Sequence, residues 1–132
     1  MTTRILIADN DAFSQARLTE LIQSHDHWEV CARAENGRRA LLKAIELKPD
    51  IIILDSAMPV MDGLGAAREI GKVLPSTPIV LLHTFPTPPS MELEAEKAGV
   101  RKVVSKPGTE VLFGVIEKLL RMGPRAATQR KD

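Results

Sequence analysis

The sequence predicts an α/β fold: a doubly wound, five-stranded parallel sheet with helices on both faces. Three observations carry that expectation. Short continuous apolar runs alternate with longer segments of helical spacing. Several of the runs are β-branched at successive positions, which suits strands buried from both sides rather than strands with one wet face. Turn residues fall between the segments, so the order reads as five repeats of strand then helix. Parallel neighbours need crossovers, and right-handed crossovers place helices on both faces.

Each element follows in turn. Ile5-Leu6-Ile7-Ala8 is the first strand, and Leu18, Leu21 and Ile22 mark the first helix. Val30-Cys31-Ala32 is the second strand, ending in Arg33-Ala34. Glu35-Asn36-Gly37 then precedes a helix that carries Ala40, Leu41, Ala44 and Ile45 on one face. Lys48-Pro49-Asp50 introduces the third strand, Ile51-Ile52-Ile53-Leu54. Gly63-Leu64-Gly65-Ala66-Ala67-Arg68 forms the loop and first turn of the third helix. It lacks the last Gly or Ala of a dinucleotide loop and lies too far from its strand. Ile79-Val80-Leu81-Leu82 is the fourth strand. The stiff stretch Phe85-Pro86-Thr87-Pro88-Pro89-Ser90 makes Ser90 the expected N-cap of a helix from Met91 to Ala98, which Gly99 closes. Val103-Val104 is the fifth strand. In the last helix the rows Val111, Val115, Leu119 and Leu112, Ile116, Leu120 make one broad apolar stripe.

Composition bounds the function. The chain has 132 residues, enough for one domain that holds a core without disulfides or structural metal. A net charge of +1 excludes the strongly basic face of a dedicated nucleic-acid binder. The single Cys31 excludes an internal disulfide and a thiolate metal cluster, and it fits a reducing compartment. Met1-Thr2-Thr3-Arg4 runs straight into the first apolar run, so no signal peptide is expected. No apolar stretch is long enough to span a bilayer. The expectation is a cytoplasmic domain over residues 1–122, with no membrane attachment. Residues 123–132 carry Arg125, Arg130 and Lys131 against Asp132 and lack packing residues, so they read as a flexible basic tail.

In open parallel sheets, ligand sites lie at the carboxyl ends of the strands. There the sequence places Asp9-Asn10-Asp11, Asp55-Ser56, His83-Thr84 and Lys106-Pro107. Asp9, Asp55 and Lys106 bring two carboxylates and one ammonium to a single edge. Carboxylates about 5 Å apart repel by roughly 3 kcal/mol at an effective dielectric near 20. Lys106, a raised pKa or a bound cation must offset that. Hard oxygen donors without thiolates or clustered His favour Mg²⁺.

The segment Pro49-Asp50-Ile51-Ile52-Ile53-Leu54-Asp55-Ser56-Ala57-Met58-Pro59-Val60-Met61-Asp62-Gly63, with Gly99 and Val103-Val104-Ser105-Lys106-Pro107, resembles the receiver domain of two-component response regulators. The likeness is to the single-domain, chemotaxis-regulator-like kind and spans residues 4 to about 121. It implies a flavodoxin-like sheet of order 2-1-3-4-5. It also implies that Asp55 accepts a phosphoryl group from a sensor histidine kinase or phosphotransfer protein, to switch the binding of a downstream protein partner. Asp9, Asn10, Asp55 and the backbone carbonyl of Ala57 would then hold Mg²⁺, and Lys106 would pair with a phosphoryl oxygen. The Lys106-Pro107 bond is expected to be cis.

Two positions depart from the family pattern. Asn10 stands where a second acid is usual, and His83 stands where a Thr or Ser is usual, with Thr84 beside it. Val103 also replaces an aromatic. These departures keep open a degenerate receiver that acts as a phosphorylation-independent interaction module. A phosphohydrolase of the haloacid dehalogenase type would use Asp9-Asn10-Asp11 but leaves the segment after Asp55 unexplained. A flavin binder would need a phosphate-cradling loop where Asp9-Asn10-Asp11 stands. No DNA-binding output domain is expected in this sequence, and no catalysis beyond the domain's own phosphoryl transfer and dephosphorylation.

Overall fold

A strand that is apolar on both faces is stable only between two helical layers, and each layer here has its own core. A computed structural model describes residues 2–84, 86–106 and 110–122. Its elements run β1 (Thr3–Ala8), α1 (Ala12–Gln23), β2 (Trp28–Ala34), α2 (Gly37–Leu47), β3 (Ile51–Asp55), α3 (Gly63–Val73), β4 (Ile79–Thr84), α4 (Pro89–Lys97), β5 (Lys102–Lys106) and α5 (Glu110–Met122). All strand pairs are parallel and the order is β2-β1-β3-β4-β5. This is the predicted doubly wound α/β sheet.

Side chains alternate across the strands. Leu6, Ile52, Leu54, Ile79 and Leu81 meet α2, α3 and α4 through Ala40, Ala44, Ala66, Ala67, Ile70 and Ala95. Ile5, Ile7, Ile51, Ile53, Val80, Leu82 and Val104 meet α1 and α5 through Leu18, Ile22, Leu112, Ile116 and Leu119. Ile5, Leu6, Ile7, Ile52, Ile53 and Leu54 are fully buried, and each such side chain contributes about 1.5–3 kcal/mol. At the amino-terminal end of the sheet, Trp28 packs between His25, stacked at 3.6 Å between ring centroids, and the edge of Phe113 on α5 at 5.4 Å.

The helix starts follow the capping logic of the sequence. Asn36 accepts from the Arg39 N–H and Asp62 from the Gly65 N–H, each at 2.8 Å. The fourth helix departs from expectation. It begins at Pro89, with Pro88 as N-cap and no side-chain cap bond, so Ser90 lies inside it. Proline suits the first helical position because that N–H has no partner in a helix anyway. Gly99 closes this helix at φ 91, as expected. The second strand extends on both sides of Val30-Cys31-Ala32. Residues 123–132, expected to form a tail, and the Lys106-Pro107 bond lie outside the described residues. No helix among the described residues is long and apolar enough to cross a membrane.

Candidate functional site

The carboxyl ends of β1, β3 and β5 deliver Asp9, Asp55 and Lys106 to one point. Their strand positions share the parity of Ile7, Ile53 and Val104, so all three begin on the sheet face that carries α1 and α5. Lys106 Nζ lies 3.0 Å from Asp9 Oδ2 and 2.9 Å from Asp55 Oδ1. Asp9 and Asp55 are buried, 2% and 7% exposed, in a molecule whose other buried side chains are apolar among the described residues. One ammonium thus faces two buried carboxylates and leaves one negative charge over.

The surroundings hold each group in place. Asp9 Oδ1 accepts the Asp11 N–H at 2.9 Å. Gln15 on α1 donates from Nε2 to the carbonyls of Asp9 and Ala34, both at 2.8 Å, and so ties the ends of β1 and β2 together. Burial pushes the Asp55 carboxyl above its ordinary value; the Lys106 ammonium and the Ala57 N–H pull the other way without cancelling that rise, and Asp9 adds to it. Burial opposes charge on Lys106, yet its bonds to Asp55 and Asp9 outweigh that and hold its pKa above the ordinary value. Two of the three offsets expected for the paired acids, the ammonium and the raised pKa, are therefore present.

Behind Asp55 the chain is packed closely. A Cβ on Gly63 would lie 2.4 Å from the Asp55 carbonyl oxygen and 2.9 Å from Ser56 Cα. Gly63 N–H donates to the Ser56 carbonyl at 3.0 Å. Between them the loop turns at Val60, whose φ is 70, with Met61 N–H donating to the Pro59 carbonyl at 2.7 Å. That is a γ-turn centred on an exposed β-branched residue.

The remaining predicted residues separate into two groups. Asn10, Ala57 and His83 line one cleft with Ser56, Met58, Asp62 and Met91. Asn10 and Ala57 are exposed at its lip, and His83 is half-buried. Thr84 is exposed, pairs in register with Lys106, and has the opposite parity to His83. Asp11, an acid beside the predicted ligand positions, instead caps α1 by accepting the Phe13 N–H at 3.0 Å. Among the described residues no group of three or more His, Cys, Asp or Glu is arranged to hold a metal. The hard donors at this edge are the two carboxylates, to which Asn10 and Ala57 would add amide and carbonyl oxygens. The excess negative charge and the hard oxygens fit Mg²⁺.

One residue was missed. Ser56 Oγ lies 2.6 Å from His83 Nδ1. The pairing of Asp55 with Leu82 sets the next residues on the two strands side by side, a register that residue types alone do not reveal.

A parallel sheet in this order, with an acid pair and a lysine at its carboxyl edge, defines the class of receiver-like α/β domains. Residues 5–117 match the family described as the response regulator receiver domain. The chain is 39% identical over 107 residues to the chemotaxis protein CheY of Thermotoga maritima, covering 81% of this chain and 88% of that one. It is 37% identical over 113 residues to a protein-glutamate methylesterase/protein-glutamine glutaminase of Caldanaerobacter subterraneus subsp. tengcongensis, covering 85% of this chain but only 30% of that protein. The chain thus spans less than a third of the methylesterase relative. The crystal structure of the response regulator domain of Thermotoga maritima CheB superposes with a TM-score of 0.81 at 30% identity, over 92% of this chain and 96% of that one. The chain belongs to the response regulator receiver family, and its function is that of a phosphorelay receiver.

Proposed function

We propose that Asp55 is the phosphoacceptor and that Lys106, Asp9, Asn10, Ala57 and His83 serve it. The observation that carries this reading is the placement of Lys106 Nζ within 3.0 Å of both Asp9 and Asp55. The Asp55 carboxylate attacks the phosphorus, a P–O bond forms, and the bond from phosphorus to the donor breaks with its electron pair leaving on the donor. An ionised carboxylate needs no general base. Lys106 offsets the cost of keeping Asp55 ionised while buried, and then pairs with a phosphoryl oxygen as a point charge. Asp9, Asn10, Asp55 and the Ala57 carbonyl would hold Mg²⁺, which when bound neutralises charge on the transferring oxygens.

The donor is a sensor histidine kinase or phosphotransfer protein, and the phosphorylated domain switches a downstream protein partner in the cytoplasm. Its catalysis is limited to its own phosphoryl transfer and loss. His83 is favoured over Thr84 as the hydrogen-bond donor to the phosphoryl group because it shares a cleft with Asn10 and Ala57. A degenerate receiver would have no use for an ammonium between two buried acids. The test is intact mass after acetyl phosphate with Mg²⁺. One phosphoryl adduct is expected in the wild type and none in Asp55→Asn; an adduct that persists in Asp55→Asn removes the assignment.

A further inference from the structure

We infer that Ser56 is a positioning residue for the phosphoryl-transfer site, acting through His83 by fixing which imidazole nitrogen carries the proton. The inference rests on the assignment of Asp55 as phosphoacceptor and goes beyond it to a residue with no role so far.

The argument starts from the backbone. Ser56 N–H donates to the Leu82 carbonyl at 2.8 Å, so the β3–β4 ladder continues one residue past Asp55 and sets Ser56 opposite His83. Both then face the α3–α4 side of the sheet, and Ser56 Oγ meets His83 Nδ1 at 2.6 Å. Neither side chain has another hydrogen-bond partner among the described residues. A neutral imidazole has one donor and one acceptor nitrogen, and a hydroxyl can give its proton to Nδ1 or accept one from it. Only the first arrangement leaves His83 an Nε2–H for the phosphoryl group. With the Ser56 hydroxyl donating to Nδ1, the ring proton sits on Nε2. That leaves an N–H donor on the ring edge away from Ser56, on a residue that lines the cleft shared with Asn10 and Ala57. A Thr or Ser at position 83 carries its own rotatable donor. An imidazole must be oriented, because the wrong tautomer would present a lone pair to phosphoryl oxygens. Ser56 supplies that orientation without needing the ring to be charged.

The geometry also ties the pair to the rest of the strand edge. His83 pairs in register with Ser105, whose Oγ lies 3.0 Å from Thr87 Oγ1 in the loop before α4. His83 thus neighbours, across the β4–β5 ladder, a serine whose hydroxyl meets Thr87 before α4.

The experiment has two readouts on wild type, Ser56→Ala and Ser56→Thr. Long-range ¹H–¹⁵N NMR of the His83 ring, recorded without any phosphodonor, reports the tautomer. Decay of the acetyl-phosphate adduct by intact mass reports its lifetime. The Nε2–H form is expected in the wild type and in Ser56→Thr, and a mixture of tautomers in Ser56→Ala. The adduct lifetime should shorten roughly three- to tenfold in Ser56→Ala, the loss of one oriented hydrogen bond, and recover in Ser56→Thr. An Nδ1–H ring in the wild type, or a tautomer unaffected by Ser56→Ala, overturns the inference. So does a tautomer that changes while the lifetime stays the same. If the wild type forms no adduct, the phosphoacceptor assignment has failed and the positioning role falls with it, while the NMR still shows whether Ser56 sets the ring.

Discussion

Asp55 is a carboxylate held where carboxylates are disfavoured, and its neighbours make that tolerable. Because burial raises its folded pKa above the ordinary value of 3.8, the native state binds more protons than the unfolded state in the window above that value. Its contribution to stability is therefore fully present below about pH 4 and is lost as pH rises through the folded pKa. Asp55→Asn should melt at a higher temperature than the wild type at pH 7, with the gap closing as pH falls toward 4. Melting curves across that range would show it, and a gap that ignores pH would contradict it. Asn10, as a proposed Mg²⁺ ligand, presents the opposite problem, an oxygen without charge. Asn10→Asp should tighten Mg²⁺ binding by adding a charged oxygen, and a titration showing unchanged or weaker affinity would mean that residue 10 does not face the metal. The acid pair and lysine were legible in the sequence because each ends an apolar run. The Ser56–His83 contact was not read, because it depends on strand register rather than on residue type.

At the scale of elements, the segment between β3 and α3 is the most constrained part of the site. Gly37 N–H donates to the Met61 carbonyl at 2.8 Å, and a Cβ there would lie 2.1 Å from that oxygen. Gly63 presses on Asp55 from the other end of the loop. Val60 is pinned between these anchors in a backbone region that β-branched side chains disfavour, at a cost of order 1 kcal/mol or more. Its side chain is 77% exposed and gains little by packing. Val60→Asn should therefore stabilise the domain by about 1 kcal/mol, since Asn tolerates positive φ far better. Urea denaturation at equal m-value is the measurement, and destabilisation would mean that the turn needs the valine. The sequence showed where this loop lies but not that its apex is strained, because Val60 reads as an ordinary apolar residue. Ser90 shows the same limit. A good capping residue was displaced because Pro89 takes the first helical position without penalty, and composition alone does not rank the two.

For the whole molecule, the two cores divide the work of the sheet. The face carrying α1 and α5 begins the acid pair and lysine, while the opposite face holds His83 and Ser56. The layering was readable because β-branched runs on both faces have few other solutions, whereas the strand order followed only from the resemblance to the receiver family. The aromatic cluster lies at the far end of this arrangement. Trp28 pairs with Thr3 at the start of β1, about 17 Å from the strand's carboxyl end at a rise of 3.3–3.4 Å per residue. As the chain's single tryptophan, stacked on His25 and edged by Phe113, it gives the protein a built-in optical probe with one emitter and one environment. Its emission should change sharply when the domain unfolds and stay constant when Asp55 is loaded. A spectral response to acetyl phosphate would instead mean that α5 shifts against the indole, carrying the event from one end of the sheet to the other.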